Sequence, residues 1–173
     1  LYLCRVESFG SEHKGPAAAG FNAAVEFAPD WECLGPSLQP TLAERLRGRL
    51  TGRQPAASEK RLTRYADLMR NMLAKPDVPY TRYRCVTPGW DNSARRMNSV
   101  TLLDSTPEQY GYWLQRTLEA TEEGLVFING WNEWAEGNHL EPCQRWGRQY
   151  LEATRDAVMR ATVTASKAPS ADD

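Results

Sequence analysis

Apolar positions along the chain fall into two patterns. Four short segments are dense in β-branched, aromatic and other apolar residues: 1–7 (LYLCRVE), 21–27 (FNAAVEF), 81–87 (TRYRCVT) and 125–132 (LVFINGWN). Gly or Pro stands close to most of their ends, so they read as short buried strands. Several are apolar on both faces. That fits parallel strands covered by helices better than an antiparallel sheet with one wet face.

The second pattern is helical. Over residues 59–73, Leu62, Ala66, Met69, Met72 and Leu73 recur on one helical face. The clearest helix begins at Thr106, which is placed as N-cap, with Pro107 at the first helical position and Gln109 closing a capping box. Tyr110, Trp113, Leu114 and Leu118 form its buried stripe, and Gly124 stands where it ends. A last helix spans residues 146–161, with Tyr150, Leu151, Ala157 and Val158 facing inward. The polar tail, 164–173, reads as disordered, which leaves one domain over residues 1–163. Residues 29–61 are the least regular and hold four prolines and a basic run from Arg45 to Arg53. An inserted helix with a solvated face is the plain reading of that run, and an anionic-ligand role is the alternative. Strands alternating with helices predict an α/β fold with a parallel sheet.

Composition narrows the classes. The chain has 173 residues, with 21 Lys and Arg against 22 Asp and Glu. That balance gives no reason to expect a nucleic-acid surface, which carries a basic excess. No run of about 18 apolar residues offers a transmembrane helix. Cys4, Cys33, Cys85 and Cys143 stand far apart without a CxxC pair. A zinc site is therefore not expected, and reduced thiols in a cytoplasmic protein are. The chain begins Leu1-Tyr2-Leu3 without Met, which suggests a processed form or part of something longer.

The chemistry concentrates in residues 127–142, FINGWNEWAEGNHLEP, where an apolar strand runs into polar and aromatic side chains. Parallel α/β sheets bind ligands beyond the carboxyl ends of their strands. Glu133 and Glu136, three residues apart, can project into one cleft. Paired carboxylates about 5–5.5 Å or about 6.5–9.5 Å apart cleave glycosidic bonds with retention or inversion. One acid of such a pair must hold a proton near neutral pH, and neighbouring like charge with partial burial favours that. Trp131 and Trp134 supply faces on which sugar rings stack, while Asn132 and Asn138 can bond hydroxyls. The opposing reading makes the two glutamates loop acids, salt-bridged or capping a turn. His139 reads as a structural group or hydroxyl donor rather than a metal ligand, and Glu141 with Pro142 either binds or only shapes the turn. A second cluster, Trp90, Asp91 and Asn92, follows another strand and is also suited to stacking and hydroxyl bonding. Arg95 and Arg96, just beyond, either hold a phosphate or are solvated. Glu7 and Glu26 end the first two strands, which places them at the mouth of the same site or in edge salt bridges.

NGWNEWAEGNHLEP (129–142), PGWDNSARR (88–96) and the opening YLCRVESFGSEHKG resemble the WbsX-like glycosyltransferase family of bacterial O-antigen and other polysaccharide biosynthesis. The resemblance extends from Leu1 to about Ala161. The NEWxEG core is also similar to glycoside hydrolase family 99, the endo-α-mannosidases, which have a (β/α)8 barrel. That likeness implies Glu133 as the base on a substrate 2-hydroxyl, giving a 1,2-anhydro sugar with retention, and Glu136 as the acid and then base at the leaving oxygen. Cys143 departs from the family pattern, which has Asp there, and a thiol cannot supply that charge. No glycine-rich nucleotide loop is present.

The resemblance implies an oligosaccharide or polysaccharide substrate, with no cofactor and no metal. Transfer and hydrolysis both remain open at this point, as does glycan binding without catalysis. A complete (β/α)8 barrel needs eight strand–helix units and typically about 250 residues. Four units imply the C-terminal half of such a barrel, accompanied by other domains of a longer polypeptide. Such a half exposes an apolar sheet face and two edge strands, which predicts poor solubility or self-association.

Overall fold

The computed structural model describes residues 1–8, 15–38, 42–52, 60–121 and 124–167. A four-stranded parallel sheet lies at its centre: β1 (Cys4–Glu7), β2 (Ala23–Glu26), β4 (Arg82–Val86) and β6 (Val126–Ile128), in that spatial order. These are the four strands expected, each shorter than its apolar run. Between them stand α1 (Leu42–Thr51), β3 (Arg61–Arg64), α2 (Tyr65–Leu73), β5 (Val100–Leu103) and α3 (Pro107–Glu119). A small antiparallel ribbon, β7 (Asn132–Glu133) and β8 (Asn138–His139), precedes α4 (Gln149–Lys167). No described helix is long and apolar enough to cross a membrane.

Several boundaries differ from the sequence pattern. Residues 61–64 are strand rather than helix, because β3 pairs in parallel with β5 along its whole length. Leu38 N–H also donates to the Leu62 carbonyl at 2.8 Å, so backbone pairing outweighs a helical spacing there. The helix after it buries Tyr65, Leu68 and Met72. In α3, Thr106 Oγ1 accepts from the Gln109 N–H, as expected of a cap, but the Gln109 side chain donates to the Asp104 carbonyl instead of closing the box. The helix stops at Glu119, and Gly124, at φ +67°, belongs to the turn into β6. The last helix starts at Gln149, three residues later than the pattern suggests, runs through Lys167, past the expected helix end at 161, and leaves Val158 exposed. The rest of the tail lies outside the described residues. The basic run does form a helix, but Leu42, Leu46 and Leu50 are exposed on it too. Only a 3-10 turn, Ala17–Ala19, is described between β1 and β2.

Register sorts the sheet into two faces, since successive side chains alternate. Val6, Val25 and Tyr83 share one row, and Phe127 stands opposite Cys85 on the same face. Val6 and Phe127 are exposed, and the Tyr83 and Phe127 rings lie 6.1 Å apart. The other face carries Glu7, Glu26, Arg82 and Arg84. It lies under the helices: Glu26 and Arg84 line a small cavity with Met72 and Leu73 of α2 and Trp113 and Thr117 of α3. The core continues through Tyr110, Leu114, Tyr150 and Ala157, where Gly111 lets α3 and α4 approach closely. A Cβ on Gly111 would meet Ala153 Cβ at 3.2 Å.

Candidate functional site

Two loops at the carboxyl ends of the sheet build the site. The first follows β4 and carries Trp90, Asp91, Asn92 and Arg95. It is fastened by Asn92 Oδ1, which accepts from Val100 N–H at 2.8 Å, and by Leu102 N–H donating to the Trp90 carbonyl at 2.8 Å. The second follows β6 and is the β7–β8 ribbon, whose tip is a 3-10 turn over Trp134–Glu136. Asp91 N–H donates to the Glu136 carbonyl at 2.7 Å and joins the two loops. Gly137 closes the turn at φ +57°, and a Cβ there would stand 3.0 Å from Asp91 Cβ. Both the backbone conformation and the close approach therefore require glycine.

Glu133 and Glu136 come together as the spacing suggests. Arg95 Nη1 lies 3.1 Å from Glu136 Oε1 and 3.9 Å from Glu133 Oε1, so one guanidinium faces both carboxylates. The Glu133 side chain is half exposed and Glu136 less so. Arg95 is half exposed, so it is paired with the carboxylates as well as solvated. Arg96 is exposed.

Trp131 and Trp134 are also half exposed. Trp134 is held on two sides: its ring stacks on His139 at 3.8 Å, and its Nε1 donates to Glu141 Oε2 at 2.7 Å. Asn132 is exposed on β7, paired with His139 of β8. Asp91 Oδ1 accepts from Ser93 N–H at 2.9 Å and from Thr101 Oγ1 at 3.0 Å. Partial burial alone would raise the Asp91 carboxyl, but these bonds outweigh it and hold the group below its usual range.

Other expected site residues serve the fold instead. Trp90 is 4% exposed and meets Phe27 and Trp31 edge to face, so it offers no stacking face. Asn138 is fully buried. Its Oδ1 accepts from Thr87 Oγ1 at 2.9 Å and from Gly130 N–H at 3.2 Å. Asn92 is spent on Val100. Glu7 is buried and accepts from Tyr80 Oη at 2.8 Å. Glu26, equally buried, faces Lys75, Arg82 and Arg84 at 3.1–3.4 Å. Neither stands at a site mouth. A charged residue inside a short strand looks from sequence like an edge residue, and only the packing of α2 and α3 shows otherwise. Burial, foremost, pushes the Cys85 thiol up to about 12, which suits a small core residue rather than a nucleophile. Among the described residues no group of three or more His, Cys, Asp or Glu is placed to hold a metal ion.

A cleft of about 920 Å³ opens beside the ribbon. Trp134 and His139 line it, and so do Asp104 and Ser105 after β5 and Arg145 and Trp146 before α4. Sequence reasoning missed those last four, because the strand that ends before Asp104 is absent from the apolar pattern and Arg145 and Trp146 stand just ahead of a helix.

Fold and site together define an α/β protein with paired carboxylates and held aromatic rings beyond the ends of a parallel sheet. The family model Glycosyltransferase WbsX matches residues 1–154. The chain belongs to the WbsX glycosyltransferase family. Two proteins from strains of Xanthomonas campestris pv. campestris, each named "Uncharacterized protein WxcX", are 39% and 37% identical to it. Each alignment spans 180 residues, 99% of this chain and 24% of the relative, so the chain corresponds to about a quarter of their length. No solved structure matches.

Proposed function

We propose that the protein carrying this chain makes or breaks a glycosidic bond of a bacterial surface polysaccharide such as an O-antigen, with Glu133 and Glu136 as its catalytic carboxylates. The observation that carries the reading is their convergence on Arg95 at the exposed tip of the ribbon. Membership of the glycosyltransferase family supports a carbohydrate substrate. In this reading Glu133 takes the proton of a substrate 2-hydroxyl, and Glu136 protonates the leaving oxygen and later activates the acceptor. Arg95 Nη1 donates to Glu136 Oε1 at 3.1 Å, so in this reading Glu136 reaches a leaving oxygen only when the guanidinium lets go of it as substrate enters.

The sheet is read as part of a (β/α)8 barrel. Its exposed Val6 and Phe127 and its edge strands β1 and β6 fit closure by strands elsewhere in a longer polypeptide.

Glu133→Gln and Glu136→Gln in the intact protein test the assignment. Each is expected to lower turnover of the polysaccharide from the source strain by about a hundred-fold or more. Turnover unchanged in both variants sinks the catalytic reading. Saturable binding without any product in the wild-type protein supports a binding module instead.

A further inference from the structure

We propose that the cleft beside the ribbon is a second glycan subsite, in which one residue of an oligosaccharide stacks on Trp134 while its neighbour along the chain reaches the carboxylates. This rests on the carbohydrate reading above and extends it to a place that has no catalytic group. Neither Glu133 nor Glu136 lines the cleft, whereas Trp134, between them in sequence, does.

Three observations carry the assignment. The first is the way Trp134 is held. A half-exposed tryptophan is ordinarily free to turn, yet this ring is stacked on His139 and tethered through Nε1 to Glu141. A ring fixed that way offers a prepared platform at little cost in side-chain freedom. The second is Asp91 in the cleft wall, whose Oδ1 accepts from Ser93 N–H and Thr101 Oγ1, so an exposed carboxylate is held in one orientation beside a space where sugar hydroxyls can reach it. The third is Asp104 on the far wall, the one described non-glycine residue with positive φ, at 63°. Its carboxylate accepts from Arg64 Nη1 at 3.1 Å, so the far wall is also held in one orientation. The volume, about 920 Å³, lies within the usual range of ligand sites and exceeds what a single stacking contact needs.

The test uses the intact protein and polysaccharide extracted from the source strain, cut into oligosaccharides of graded length. Binding is followed by tryptophan fluorescence and by protection of tryptophan from N-bromosuccinimide. Saturable binding is expected in the wild type and in the double variant Glu133→Gln/Glu136→Gln. Trp134→Ala is expected to weaken it about ten-fold or more, and Trp134→Phe, which keeps an aromatic face, to restore most of it. Disaccharides and longer pieces should bind better than monosaccharides. Absence of saturable wild-type binding, or wild-type binding by Trp134→Ala, overturns the subsite. Binding by the double variant with turnover unimpaired overturns the catalytic assignment and leaves the subsite standing.

Discussion

Glu26 and Glu136 are both glutamates beside arginine, and they live in different solvents. Glu26 is 2% exposed, ringed by Lys75, Arg82 and Arg84, and also accepts from Cys85 N–H at 3.3 Å. Glu136 shares a half-exposed Arg95 with Glu133 at a loop tip. In the interior, desolvation makes a charge costly unless every partner stays in place. At the surface, water screens the pair, and either partner can leave at little cost. The first arrangement holds helices to a sheet. The second leaves carboxylates free to meet a ligand.

The largest expected effect comes from breaking the interior set. Glu26→Gln leaves three cations facing a neutral amide beneath α2 and α3. It should cost about 3–5 kcal/mol, read from the urea unfolding midpoint. A loss below about 1 kcal/mol would mean that water reaches Glu26 and that the contrast with Glu136 is false. Next comes Gly137→Ala, which tests how the site loop is held. A Cβ there meets Asp91 backbone and side-chain atoms at 3.0–3.2 Å in a left-handed conformation. About 2 kcal/mol should be lost, and the Asp91 amide resonance should move as its bond to Glu136 loosens. An unmoved resonance would show the two loops to be independent.

The two regions should also fail at opposite ends of the pH scale. Burial pulls the Lys75 ammonium down, but Glu26 and Asp30 outweigh it and raise the group above its ordinary 10.5. Its contribution to stability is complete below that value and fades as pH climbs through the raised one. Asp91 is held below its ordinary 3.8, so its contribution is complete above that value and fades as pH falls through the lowered one. Asp91→Asn should flatten the acid limb of the stability curve by about 1 kcal/mol or less and leave the alkaline limb alone. Loss of the alkaline limb in that variant would tie the two regions together.

How far the sequence foretold this arrangement depends on the distance over which each feature is decided. The four sheet strands, the Thr106 cap and the placing of Glu133 and Glu136 beyond a strand were legible, because local pattern decides them. The strand at Arg61–Arg64 was hidden, since its partner is Val100–Leu103, far along the chain. Asn138 and Trp90 carry the chemistry of sugar binding, and nothing local reveals that Thr87, Phe27 and Trp31 already occupy them. Arg95 lies near Asp91 in sequence and Glu136 lies far from both. Their meeting depends on the backbone bond between Asp91 and Glu136, which no spacing rule contains.

The smallest expected effect is the most telling. Glu133→Gln and Glu136→Gln should each change stability by no more than about 0.5 kcal/mol, because an exposed guanidinium loses little when one screened partner becomes neutral. Raising salt should leave that difference near zero, whereas the cost of Glu26→Gln should persist because its partners are shielded from ions. If either substitution at the tip costs more than about 1 kcal/mol, the ribbon depends on Arg95 for its shape and any loss of turnover would be ambiguous. If both are silent in unfolding and severe in turnover, the carboxylates contribute nothing to the fold that bears them. The proposed mechanism needs that separation, because in it Arg95 lets go of Glu136 and the loop must not come apart.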